Sequence, residues 1–203
     1  MLTVSAKPSG SNVAPLEAGT YPARCVQIID LGEQMNDLAG RLQRQVMILW
    51  EIPTERLEIN GEDKPRVMSA TYTASLSDKA KLRSVLESWR GKQFTDEELA
   101  GFDLVNILDK TCMLTVVSKT SKSSGKEYSA IGSVSKLMKG YVVPPAETTI
   151  FAFDLDAEDA LDQMEALPEW IQSRIKEGET YKALEQDRQF QNMSVDDLPF
   201  GKD

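Results

Sequence analysis

The chain of 203 residues contains no histidine. Serine–histidine and cysteine–histidine nucleophile pairs are therefore absent, which narrows the enzyme classes sharply. Its thiols number two, Cys25 and Cys112. With no imidazole and two separated sulfurs, no zinc set is expected. Each cysteine lies in an apolar run with strand character, where a buried free thiol is the ordinary state; a disulfide is the alternative. No run of about 18 apolar residues occurs, so no membrane-spanning helix is expected. Met1 to Gly19 has neither the basic start nor the apolar core of a secretory signal. Pro8, Ser9, Gly10, Ser11 and Pro15 read there as a loose arm. Nothing points to secretion, and the expected compartment is a cytoplasm.

What is present is an uneven charge. Residues 1–140 carry 18 Lys+Arg against 17 Asp+Glu, whereas residues 141–203 carry 5 against 15, giving nets of +1 and −10. Near the end comes Asp196-Asp197-Leu198-Pro199-Phe200, two acids before an apolar, proline-stiffened tip. A near-neutral body with such a tail points to a body that binds something anionic. The tail then limits indiscriminate contact and offers a short peptide to partners; the plainer alternative is a solvated tail that only keeps the chain in solution. The length suits one domain with appendages or two small ones.

Two β-type runs open the body, Tyr21 to Leu31 and Leu42 to Ile52. In the second, Leu42, Val46, Ile48, Trp50 and Ile52 share a face by period two. Asn60-Gly61 is a two-residue hairpin signal, since both positions tolerate positive φ. It turns the chain into Arg66 to Ser75. The pattern then becomes helical: Ser77 is placed to cap Asp78 to Arg90, with Leu82, Val85, Leu86 and Trp89 on one stripe and Gly91 closing it. Thr95 with Glu98 signals a capping box and a short helix ending near Gly101. Strand character returns over Cys112 to Ser118 and Glu127 to Ser135, around a Ser123-Ser124-Gly125 turn. After Pro144-Pro145 come short helices, Ala157 to Leu167, Pro168 to Lys176 and Tyr181 to Arg188. The expected organisation is an arm (1–18), a nucleic-acid-binding body (19–140), a helical extension (141–177) and an acidic tail (178–203). The fold expected is mainly β with a helical insert and a helical C-terminal extension. Five strands with a helix after the third are the plan of an oligonucleotide-binding barrel, the OB-fold.

The strongest binding signal is the Ser118 to Lys139 hairpin, with Lys119, Lys122, Lys126, Lys136 and Lys139 against the single acid Glu127, and Tyr128 past the glycine. Cations that follow phosphates and aromatic faces that stack bases are what an unpaired nucleic-acid strand needs. A second basic group is Arg41, Arg44 and Arg66, with Tyr72 farther along. Alternation puts Arg66, Met68, Ala70, Tyr72 and Ala74 on one face, which reads as a binding surface because it is not cleanly apolar. Trp50 and Trp89 lie on apolar stripes and read as core. Most of the helical insert's cations, Lys79, Lys81, Arg83, Arg90 and Lys92, read as a solvated face.

Asp154, Asp156, Glu158, Asp162 and Glu165 fit positions of a calcium loop, but the required glycine is Asp159. The cluster reads as helix-capping acids, and no metal or cofactor is expected. Glu51, Asp103 and Asp109 give no two-metal signature, and no catalytic constellation emerges.

Three stretches carry a family likeness: Trp50-Glu51-Ile52-Pro53; Tyr72-Thr73-Ala74-Ser75-Leu76 with Leu86-Glu87-Ser88-Trp89-Arg90-Gly91-Lys92-Gln93-Phe94; and Leu167-Pro168-Glu169-Trp170-Ile171. With them the chain resembles the single-stranded DNA-binding proteins of tailed bacteriophages, from about residue 20 to 176. The resemblance implies an OB-fold body coating single-stranded DNA in replication or recombination, in the cytoplasm of a bacterial host. Asp196-Asp197-Leu198-Pro199-Phe200 is similar to the acidic tip of bacterial single-stranded DNA-binding proteins, which recruits replication and repair enzymes. There the phenylalanine is last, whereas here Gly201, Lys202 and Asp203 follow.

The expectation is a non-enzymatic, sequence-tolerant protein whose groove is lined by Arg24, Arg41, Arg44, Arg66, Tyr72, Lys119, Lys122, Lys126 and Tyr128. Its partners are single-stranded DNA and, through the tail, replication or recombination proteins, with no membrane and with self-association open. The rivals are a protein–protein adaptor using the tail helices and Trp170, and a metal-dependent nuclease.

Overall fold

One strand organises the architecture. In the computed structural model, which describes residues 14–36, 39–59 and 61–192, β1 (Gly19–Asn36) pairs from Arg24 to its end with β2 (Arg41–Ile59). Its other edge pairs first with β4 (Thr111–Thr120), through residues 19–24, and then with the short parallel strand β6 (Phe151–Phe153). Strand β3 (Glu62–Thr73) lies beyond β2, and β5 (Glu127–Ser135) beyond β4, giving the order β3-β2-β1-β4-β5. These five antiparallel strands curl into an open half-barrel, with β3 and β5 approaching each other unpaired. Helices α1 (Lys81–Arg90) and α2 (Asp96–Ala100) and the 3-10 turn Leu104–Ile107 fall between β3 and β4. Helices α3 (Ala160–Met164), α4 (Glu169–Lys176) and α5 (Glu179–Asn192) close the described chain. Among the described residues, no helix is long and apolar enough to cross a membrane.

Strands β1 and β2 are buried on both faces. On the inner face Val46, Ile48, Trp50 and Ile52 meet the α1 stripe of Leu82, Val85, Leu86 and Trp89, as the alternation predicts. The Trp50 and Trp89 rings lie 5.9 Å apart between centroids. Met47 and Leu49 point the other way, into a second core with Leu155, Met164, Leu167, Ile171 and Ile175. Bulges in β1 between Cys25 and Gln27 and between Asp30 and Gly32 serve both layers. An inserted residue shifts the alternation, so Cys25 and Ile28 face inward while Val26, Ile29 and Leu31 face the helices.

The C-terminal layer is tied down by polar groups. Glu51, fully buried, accepts hydrogen bonds from the N–H groups of Glu147 (3.1 Å) and Thr148 (2.7 Å). Gly32, at φ 67°, passes beneath Leu155 and Thr180. The Thr180 hydroxyl accepts from the Glu33 N–H at 2.8 Å. Residues 179–192, read in the sequence as part of the tail, are thus the docked helix α5.

Local signals fare unevenly. The Thr95–Glu98 capping box forms with both of its bonds, and Gly91 ends α1 at φ 68°. Ser77 is not the cap of α1, which begins at Lys81 after Ala80 with no side-chain cap. Residues 77–80 close a turn instead, Ala80 N–H donating to Ser77 C=O at 2.8 Å. Cys25 and Cys112 are free and buried. Burial pushes the Cys25 thiol up to about 12 and raises that of Cys112 as well.

Candidate nucleic-acid interface

A cleft of about 1190 Å³ follows the edge strand β3. Arg66 and Met68 line it from the inner face of that strand, Val67 and Ser69 from the other, so the cleft takes in the strand's unpaired edge. The β4–β5 turn supplies another wall with Ser124, Lys126 and Tyr128, and α4 supplies Trp170. Four acids line it too, Glu62, Asp63, Glu127 and Glu147, and three of them are paired. Arg56 bonds Asp63 at 2.9 Å and also Glu147, and Lys64 pairs with Glu62 at 2.5 Å.

Arg66 directs both terminal nitrogens at the Ala14 carbonyl, and its Nε is buried without a partner. Lys119 stands directly opposite Tyr128 across the hairpin. Counting from Val116 and Ile131, which face the inner core, this pair points outward. Tyr128, 46% exposed, therefore meets the cleft at its rim. Lys122 is exposed in the same turn.

The other expected groove residues are elsewhere. Tyr72 is not an open stacking platform: it is 7% exposed and sits in the inner core opposite Val46. Its face is mixed in type yet covered, and burial pushes its phenol up to about 12. Arg24 is engaged by protein, donating to Asp109 Oδ1 (2.7 Å) and to the carbonyls of Val143 (3.0 Å) and Pro144 (3.2 Å). Arg44 bridges Asp30 and Asp156, the latter at 2.7 Å. The hydrogen bond it donates to Asp30, joined by the one it donates to Asp156, raises its pKa further. Arg41 is exposed at the start of β2 and does not line the cleft. Asp196, Asp197, Leu198, Pro199 and Phe200 lie outside the described residues.

Trp170 is the residue that groove reasoning from sequence missed. It is 48% exposed, one position before the buried Ile171. The buried stripe of α4 is Ile171 and Ile175, four apart. A tryptophan off its helix's apolar stripe is the signal that marks it.

The carboxylates of Asp30, Asp154 and Asp156 lie within 4.8 Å of one another. Arg44 reaches all three, Asp154 at 3.9 Å. The group is an ion-pair cluster around a guanidinium, joining β1 and β2 to the segment before α3. No protein-family model and no curated protein matches the chain.

Proposed function

We propose that the protein is a non-enzymatic, sequence-tolerant single-stranded DNA-binding protein built on an OB-type half-barrel, coating unpaired strands in phage replication or recombination. In that fold the face of the second and third strands and the β4–β5 loop take oligonucleotides. The strand order supports the reading: β1 to β3 run as a meander, β4 adds to the other edge of β1, and α1 falls between β3 and β4. The acidic tip would recruit replication or recombination proteins.

The observation that carries the reading is the presence of Trp170, Arg66 and Lys126 in one cleft on that side. An exposed indole gives a base a stacking partner worth about 1–3 kcal/mol, and the cations give phosphates theirs. Neither element reads base edges, which is why tolerance of sequence follows.

Titration of poly-dT against intrinsic fluorescence at two salt concentrations tests this. Trp50 and Trp89 are buried, so the response reports on Trp170. Quenching is expected, with affinity falling at a log–log slope of about −0.7 per phosphate neutralised. An adaptor without nucleic-acid binding would leave the emission unmoved, and a salt-independent response would count against the cleft.

A further inference from the structure

A second pocket, of about 420 Å³, lies at the far end of β4 and β5 from their turn, beside the end of α1. That volume is in the range of ligand sites, roughly 300–1,000 Å³. Trp89, Ile107 and Leu137 give it apolar walls, and Arg90, Lys92, Lys110 and Lys136 give it cations with no acid among the lining residues. Glu98, outside the lining, pairs with Lys92 at 3.4 Å and with one terminal nitrogen of Arg90, whose other, Nη1, is buried with no partner. The adjoining segment is apolar and open: Met138 is 51% exposed, Tyr141 48% and Val142 88%.

Apolar walls under a ring of cations suit a ligand that pairs carboxylates with a large apolar side chain. A nucleic-acid strand fits less well. Trp89 is 4% exposed and its Nε1 already donates to the Thr111 carbonyl, so it offers no open face to a base. The chain itself holds a peptide of the required kind, Asp196-Asp197-Leu198-Pro199-Phe200, four to eight residues beyond Asn192 at the end of α5. We propose that this pocket is the docking site of that acidic–apolar tail, with Phe200 or Leu198 against the half-buried Leu137 and the open Met138, Tyr141 and Val142 beside it, and the two aspartates among the lysines. The pocket is separate from the β3 cleft, and the proposal stands whatever the cleft binds.

The test places p-benzoylphenylalanine at position 200 of the full-length chain, irradiates it and maps adducts by mass spectrometry. The expected adducts fall in residues 105–111 or 136–142. Lys110→Glu with Lys136→Glu should lose them, as should Asp196→Asn with Asp197→Asn, which leaves the folded body untouched. Circular dichroism checks that the lysine variants fold. Adducts mapping to the β3 cleft, no adduct at all, or adducts that survive both charge changes would overturn the proposal. So would crosslinking of an iododeoxyuridine oligonucleotide to Lys110 or Lys136, which would assign the pocket to nucleic acid.

Discussion

Arg66 donates through both terminal nitrogens to one oxygen, the carbonyl of Ala14, at 3.0 Å each. Two residues on, the Leu16 N–H donates to the Ser129 hydroxyl at 2.6 Å, and that hydroxyl donates to the Leu16 carbonyl at 3.0 Å. Residues 14–16 thereby bridge β3 and β5 where the half-barrel is open. A neutral carbonyl offers a guanidinium no opposite charge; a phosphate offers that charge and a bidentate match to the fork. On the nucleic-acid reading, a bound strand replaces Ala14 as the partner of Arg66. Arg66→Ala should therefore weaken oligo-dT binding about tenfold, the scale of one charged hydrogen bond of about 1.5 kcal/mol. It should also flatten the salt slope by about 0.7. An unchanged slope, measured by fluorescence anisotropy at several salt concentrations, would remove Arg66 from the interface.

Trp170→Ala should cost about 1–3 kcal/mol of affinity for the same oligonucleotide while leaving the unfolding midpoint nearly unchanged, because the side chain is half exposed. Trp170→Phe should recover part of the loss. If both variants bind as the parent does, no base stacks there.

Tyr72 behaves as a core residue. Tyr72→Leu, which removes the aromatic face and keeps apolar bulk, should leave oligo-dT affinity unchanged, and Tyr72→Ala should destabilise the fold by about 3–5 kcal/mol, the usual scale for a buried aromatic ring. Urea unfolding reads the second effect and anisotropy the first. A binding defect in Tyr72→Leu with the fold intact would return the ring to the interface.

Acid should loosen the helical insert. Glu87 titrates below its ordinary value of 4.5 chiefly because the Arg83 side chain hydrogen-bonds it. Glu98 does so chiefly because the Thr95 N–H donates to it, with Arg90 assisting. A carboxylate whose folded pKa lies below its unfolded one contributes stability that is complete above the unfolded value. That stability is lost as pH falls through the folded value. The urea midpoint should therefore drop between about pH 6 and about pH 3, and Glu87→Gln with Glu98→Gln should shrink the drop. An identical drop in the double variant would place the acid sensitivity elsewhere.

Gly32→Ala should destabilise the whole chain. At φ 67° an L side chain is strained by roughly 1–2 kcal/mol. The added Cβ would also stand 2.7 Å from Thr180 Cβ and 2.8 Å from a Leu155 methyl. Thermal unfolding measures the loss; a variant as stable as the parent would mean that α5 does not press on β1 as described.

The inner core was legible because its signals are local. Val46, Ile48, Trp50 and Ile52 alternate, Leu82 to Trp89 follow a helical stripe, and Thr95 with Glu98 caps a turn within four residues. The outer core was not, since Met47 and Leu49 find Ile171 and Ile175 more than a hundred residues away, and β6 has three residues. Tyr72 misled because Met68, Ala70 and Tyr72 look half polar, and residue type does not say whether anything covers the face. Arg24 and Arg44 misled for a related reason: a guanidinium satisfies itself with main-chain carbonyls and aspartates as readily as with phosphate. Of the expected groove residues, Arg66, Lys126 and Tyr128 share the cleft, and Lys119 and Lys122 lie beside it on the same hairpin.

Glu51 decides how far the chain can be shortened. Its carboxylate rests deep between the layers on two main-chain amides that arrive from the far side of Pro144-Pro145. A fragment trimmed at that dipeptide would keep every strand of the curled sheet and strand this anion beside a bare, oily flank of Val26, Ile29, Leu31, Met47 and Leu49. Such a minimal piece would clump, and the smallest workable version of the protein therefore runs through α5.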